Sequence, residues 1–349
     1  RAGYRARTSV ACVLGLSGLL LLAFSTKALS SDVPGYKSPS GLLVSLAAVI
    51  LVALQQSLGE NCACMRFRRF SKLALSCWGA GTGLAGIFPP LIYGAISHWP
   101  LYTRFLAVVP ILGIYLAVCL GVYSAGRRRD AARSFQEDGV RIDDVAVSYH
   151  EADTGAFEST ERCREASAEP GIAYACYVIS IFGGVYGLEY FIFPTLVDRA
   201  TRCPPTASLG KDAYNNSWVS YNIGVTLSRA SIAFFRFPCL WLVFLLQALN
   251  VVLWAIEINV HALLRMKTLG YVLQYAWMVV VGLMGGTAYA NCIRTFHCSP
   301  LIPAKRRDQL INVAFAASMI VILASTGLGE LLDNTLITTK AVTRNCPHP

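Results

Sequence analysis

The stretch FGGVYGLEYFIFPTLV, residues 182–197, completes an apolar run from Ile172 whose one carboxylate is Glu189. A bilayer core takes roughly 17 to 25 residues of α-helix to cross, and this run is long enough. Its surroundings decide whether it does. Of the 349 residues, 55% are hydrophobic and 14% charged, against about 25% charged in soluble domains. That balance excludes an ordinary soluble domain and makes the chain an all-α polytopic membrane protein.

Scanning outward from Glu189 gives nine runs of bilayer length: residues 8–24, 42–58, 73–96, 105–123, 172–197, 218–235, 240–256, 269–290 and 313–332. The third and sixth are weakest, one being Gly-rich with Pro89 and Pro90, the other holding Arg229. Between the fourth and fifth runs, residues 126–169 are polar, of mixed charge and without apolar periodicity. They read as a flexible linker. The expected organisation is a half-bundle of four spans in residues 1–125, a linker at 126–169 and a half-bundle of five in 170–349. The chain starts at Arg1 rather than Met and shows no signal-peptide pattern. With an odd span count, the expectation is that further sequence precedes Arg1.

A net charge of +10 could suggest nucleic acid, but the positions of the charges argue against it. Arg1, Arg5 and Arg7 precede the first run; Arg66, Arg68, Arg69 and Lys72 join the second and third. Arg127, Arg128 and Arg129 follow the fourth, and Lys305, Arg306 and Arg307 precede the ninth. If the runs alternate, all four clusters share one side, which the positive-inside rule makes cytosolic. Asn215-Asn216-Ser217, an N-glycosylation sequon, falls on the other side, as a lumenal or extracellular loop should. Of twelve cysteines, Cys12, Cys77, Cys119 and Cys176 lie inside spans, where they act as small hydrophobes. Cys62 and Cys64 lack a nearby His partner, so a zinc site there is not expected. No phosphate-binding loop, catalytic-triad signature or HExxH motif is present, and the reading is a non-enzyme without cofactor or metal.

The polar residues within the spans carry the functional expectation, because charged groups in hydrocarbon cost several kcal/mol and face a bundle interior or a watery path. Counting about 1.5 Å per residue, Glu189 stands roughly 12 Å from the lumenal end of its span and Arg229 about 16 Å from the lumenal start of the next. Two readings follow. Either the two form an ion pair locking antiparallel helices, or they face a cavity, Glu189 exchanging a proton and Arg229 holding an anion. Ser220, Gly224 and Ser228 form a small-residue stripe suited to close packing. Glu60 is expected near the cytosolic mouth, either solvated or in the pathway. Gln247 and Asn250, three apart, share a helix face and suit interhelical hydrogen bonding or solute contact. Glu257 and Glu330 lie near lumenal ends, where surface exposure explains them. The glycine runs at 78–86 and 282–289 allow close helix crossing or hinge bending.

Six of these segments also carry a resemblance. SLGE at 57–60, SCWGAGTGLAG at 76–86, VYGLEYFI at 185–192, GVTLSRAS at 224–231, LLQALNVV at 245–252 and GLMGGTAYAN at 282–291 resemble, in order, the battenin family, that of the juvenile Batten disease protein. The resemblance runs from the first span to the ninth, excepting the linker and the last residues. It implies a major-facilitator-like bundle of eleven spans, of which this chain resembles the third to eleventh. It also implies a lysosomal or vacuolar membrane, export of glycerophosphodiesters and, in fungal relatives, vacuolar pH homeostasis and basic amino-acid handling. Glu60, Glu189, Arg229 and Asn291 match polar positions of the family pattern. Two departures touch the cytosolic side: the basic residues Arg66, Arg68 and Arg69, and a longer connection at 292–309.

Three functions are therefore expected in turn: a transporter of a small polar solute, with Arg229 facing an anionic phosphate and Glu189 a proton; a carrier of cationic amino acids using Glu189 or Glu60; or a trafficking scaffold acting through 126–169. Membrane lipid is the implied surrounding partner, and nucleic acid is not one.

Overall fold

The computed structural model describes residues 4–29, 39–67, 72–96, 98–139, 171–204, 207–231, 237–303, 306–335 and 346. Every regular element among these residues is helical. The nine longest are α1 (Tyr4–Leu29), α2 (Pro39–Phe67), α3 (Lys72–Ala95), α4 (Leu101–Gly139), α5 (Gly171–Phe191), α6 (Ala213–Ala230), α7 (Leu240–Val260), α8 (Thr268–Cys298) and α9 (Arg307–Thr335). A helix satisfies its backbone N–H and C=O groups internally, which is the condition for crossing lipid. Among the described residues seven are long and apolar enough to do so: α1, α2, α4, α5, α7, α8 and α9. α3 and α6 stand outside that set and correspond to the two weakest runs of the sequence.

The side-chain pattern is that of a membrane protein. On α7 the exposed positions include Trp241, Leu245, Leu249, Val252, Ile256 and Val260, while Gln247, Asn250 and Glu257 are among the buried ones. Both sets recur with helical spacing on opposite faces. A soluble helix would turn its leucines inward, and this one turns most of its leucines out and keeps three polar groups within. The chain is a multi-pass membrane protein, all-helical among its described residues.

Two boundaries differ from the sequence expectation. α4 continues through the start of the polar segment to Gly139, since residues such as Arg127, Ala131 and Ala132 are compatible with helix; 140–170 lie outside the described residues. α8 runs on to Cys298, so residues 292–298 of the long connection expected at 292–309 are helix. Arg307 closes what remains, donating through Nη1 to His297 O (2.7 Å), Nη2 to Ser299 O (2.9 Å) and Nε to Ile302 O (3.3 Å). A guanidinium saturating the carbonyls at a helix end is a structural role, and it takes Arg307 out of the free basic cluster.

The chain divides into two compact units, Arg1–Ser71 with Ile92–Thr154, and Lys72–Leu91 with Gly155–Pro349. In the first, α1 packs on α2 where Gly18 meets Val52 and the Ala48 carbonyl, and α2 meets α4 where Gly59 lies under the Tyr115 hydroxyl.

In the second unit, α6 is held between two glycine-bearing helices. On one side Gly79, Gly83 and Gly86 of α3 face Arg229, Thr226 and Asn222, and Trp218 Nε1 donates to Gly86 O (3.0 Å). On the other, Gly224 abuts the Val279 carbonyl, while Gly282 and Gly286 of α8 abut the Tyr221 and Val225 carbonyls. Small residues let backbones approach without a side chain between them, which is how helices associate where no water drives them together. α5 packs on α9 at Gly183 and Gly187, and on α7 where Gly184 meets Phe244. Its far end passes into a π-helical segment, Ile192–Val197, with Asp198 N–H bonding back to Phe193 O. Pro194 lies in that segment and has no N–H to give, so the regular ladder cannot persist through it.

Candidate functional site

Glu189 projects from α5 and is 3% exposed. Its carboxylate rests on α8 at Gly285, where any Cβ would collide with it. Tyr221 and Arg229, both of α6, are its polar neighbours. Among the described residues its Oε1 has no hydrogen-bond partner. A buried carboxylate oxygen in that position costs free energy unless a proton, a water or a cation completes it.

Arg229 is braced differently. Its Nη1 donates to Thr82 Oγ1 (2.6 Å) on α3 and its Nη2 to Tyr186 OH (2.8 Å) on α5. Its Cζ stands 4.0 Å from the ring centroid of Tyr289 on α8, a cation–π contact strengthened by low surrounding polarity. Phe182 lies 5.0 Å from the Tyr186 ring and 6.0 Å from that of Tyr289, with Phe315 of α9 5.6 Å from Phe182. Helices α3, α5 and α8 therefore converge on this guanidinium of α6, and two of its hydrogen-bond acceptors are the neutral hydroxyls of Thr82 and Tyr186. These bonds are charge-assisted from the guanidinium side only, whereas a phosphate or carboxylate would bring a second, opposite charge to them.

The structure thus brings Glu189 and Arg229 into one cluster, with Tyr186 one helical turn from Glu189 on the same face. Sequence reasoning passed over Thr82, Tyr186, Tyr221 and Tyr289. A usable signal existed for Tyr186 at i−3 from Glu189 and for Tyr289 at i+4 from Gly285.

The other candidates do not join this cluster. Gln247 is fully buried, and its Oε1 accepts from Asn250 Nδ2 (3.2 Å); Asn250 Oδ1 accepts from Trp277 Nε1 (2.9 Å) on α8. Asn291 accepts from Phe237 N–H (3.0 Å) and donates to Thr287 O (2.9 Å), pinning the segment before α7 to α8. Glu60 is half-buried on α2, in the first unit. Asn215 is exposed in the first turn of α6, whereas Ser217 of the same sequon is fully buried and accepts from Gln274 Nε2 (3.4 Å).

Glu257 corrects the sequence reading outright. It is 7% exposed rather than solvated, and its Oε1 accepts from Leu263 N–H (2.9 Å), capping the short helix Ala262–Arg265. The chain turns back over the residue at the end of α7, so closeness to a helix end did not mean access to water. A second missed feature is the disulfide Cys203–Cys346, at the end of the unit where α5 finishes and α6 begins.

Known proteins match this chain over most of its length. Protein btn-1 of Neurospora crassa is 26% identical over 327 residues, covering 83% of this chain and 67% of that protein. Battenin of Dictyostelium discoideum is 23% identical over 318 residues, 84% of this chain and 74% of that one. Battenin of Canis lupus familiaris is 25% identical over 342 residues, 93% and 73%. A family model described as CLN3 protein matches residues 1–338. The chain belongs to the CLN3 protein family.

Proposed function

We propose that the chain is a transporter of the lysosomal or vacuolar membrane that moves a small polar solute with an anionic phosphate, of the glycerophosphodiester class, out of the lumen by alternating access. One observation carries this reading: Arg229, in the interior of the second unit, is held through its Nη atoms by neutral hydroxyls, beside a carboxylate whose Oε1 has no partner among the described residues. In this account the solute phosphate displaces the Thr82 and Tyr186 hydroxyls from Arg229 and takes their place in charge-assisted, bidentate hydrogen bonds. Glu189 takes up and releases a proton as the site changes its exposure.

The architecture proposed with it is a major-facilitator-like bundle of nine spans, four from 1–125 and five from 170–349, about a cytosolic segment at 126–169, with α3 of the first four packed into the second unit. The basic clusters face the cytosol. The Cys203–Cys346 disulfide supports a lumenal position for its end of the bundle, because disulfides persist in oxidising compartments.

A second reading, export of cationic amino acids, is favoured by Glu189 Oε1, which a cation would complete. Proteoliposomes containing the full chain and loaded with either glycerophosphocholine or arginine separate the two. Export of glycerophosphocholine that Arg229→Gln abolishes supports the first reading, and export of arginine alone sinks it.

A further inference from the structure

The disulfide between Cys203 and Cys346 spans 143 positions of sequence, and a third residue completes a cluster around it. Both ring nitrogens of His261 stand 3.9 Å from Cys203 Sγ. The ligand atoms of Cys203, His261 and Cys346 all lie within 4.8 Å of one another. Cys203 is 7% exposed and His261 fully buried, with Leu264 and Tyr271 packed beside the sulfurs.

The chain delivers His261 to this place by a particular turn. Its φ of 51° is in the left-handed region, where histidine is one of the few non-glycine residues found with any frequency. The Glu257 carboxylate, capping Leu263 N–H, fixes the next turn. An imidazole held against a sulfur pair by a braced, left-handed turn is more than the disulfide needs as a staple.

We propose that reduction of the Cys203–Cys346 disulfide opens a buried site for one soft divalent cation, zinc or cadmium, bound by the two thiolates and the His261 imidazole. The reductant is a low-molecular-weight thiol. Two thiols give up two electrons and two protons, leave as their own disulfide, and convert the bonded sulfurs to two Cys thiols. The cation then displaces both thiol protons to solvent as it binds. Two thiolates cancel the charge of the dication, so no net charge is buried. Thiolate and imidazole are the ligands zinc prefers. Ligand atoms around a tetrahedral zinc stand roughly 3.5–3.8 Å apart. The histidine is already near that separation from Cys203, and breaking the S–S bond frees the sulfurs to reach it. The fourth position is left for water or a small ligand.

The test uses the full chain purified in detergent, oxidised or reduced with a phosphine and desalted, then incubated with zinc sulfate. Bound metal is counted by mass spectrometry, and cadmium chloride in a parallel sample reports sulfur ligation by its ultraviolet charge-transfer band. The seven cysteines that are free among the described residues are thiols in both states, and the Cys203→Ser and Cys346→Ser controls separate this pair from any other. The expected result is one additional zinc per chain on reduction, absent in Cys203→Ser and in Cys346→Ser. His261→Ala should weaken it by about tenfold or more. Equal zinc in both states, or an additional zinc that survives in Cys203→Ser, overturns the proposal. So does a reduced chain that loses its helical circular dichroism with zinc present, since the disulfide is then a staple alone.

Discussion

The carboxylate of Glu189 lies so close to the Cα of Gly285 that no residue carrying a Cβ could stand there. That contact sets Glu189 into the α5–α8 seam, and it makes the glycine a partner of the carboxylate. Gly285→Ala is expected to destabilise the protein in detergent by about 1–3 kcal/mol, the usual range for overpacking. Glu189→Ala removes the colliding group, so the double variant should regain most of that loss. A thermal-shift measurement across the double-mutant cycle reads the coupling, and strictly additive effects would count against the contact.

Gly81 and Gly83 on α3 offer a matched pair. An added Cβ at Gly83 would stand 2.5 Å from the Thr226 Cα, while at Gly81 nothing lies within 4 Å. Gly83→Ala should push α3 from α6 and cost about 1–3 kcal/mol. Gly81→Ala should be neutral, or stabilising by up to about 1 kcal/mol through helix propensity. Similar melting temperatures for the two variants would contradict the close packing of α3 on α6.

Glu257→Ala deletes the acceptor for Leu263 N–H and should lower stability by about 1 kcal/mol, as loss of a helix cap does. Urea or thermal unfolding of Glu257→Ala beside the wild type checks it, and unchanged stability would return Glu257 to the surface role first read for it.

Asn215 is exposed at the start of α6, on the face assigned to the lumen. A glycosidase-sensitive gel shift that disappears in Asn215→Gln is the expected result on expression in eukaryotic cells. Glycosylation at a sequon engineered into 126–139 instead would reverse the assigned orientation.

Much of the helical layout was legible because lipid leaves so few options. A run of apolar residues at bilayer length becomes a helix whatever its neighbours do, and the weakest runs, around Pro89–Pro90 and Arg229, still form α3 and α6. The pairing of Glu189 with Arg229 as neighbours was also legible, from depth counted along antiparallel helices. The partners that complete the cluster were not. Thr82, Tyr186, Tyr221 and Tyr289 are neutral residues common in any helix, and only the glycine-mediated approach of α3 and α8 brings them together. Glu257 was misread for a related reason: its burial depends on the chain folding back at His261, which a span count cannot show. The Cys203–Cys346 pair is separated by five helices, and nothing local in sequence links its members.

The central claim is that Arg229 and Glu189 act on a transported solute and its proton. The most direct test is export of glycerophosphocholine from proteoliposomes by the wild type, Glu189→Gln and Arg229→Gln, at several lumenal pH values, with folding verified for each. The account predicts that Arg229→Gln lowers export by about tenfold or more, the loss of charged hydrogen bonds to the solute. It predicts that Glu189→Gln flattens the dependence of export on lumenal pH. Wild-type rates and an unchanged pH profile in both variants would contradict it.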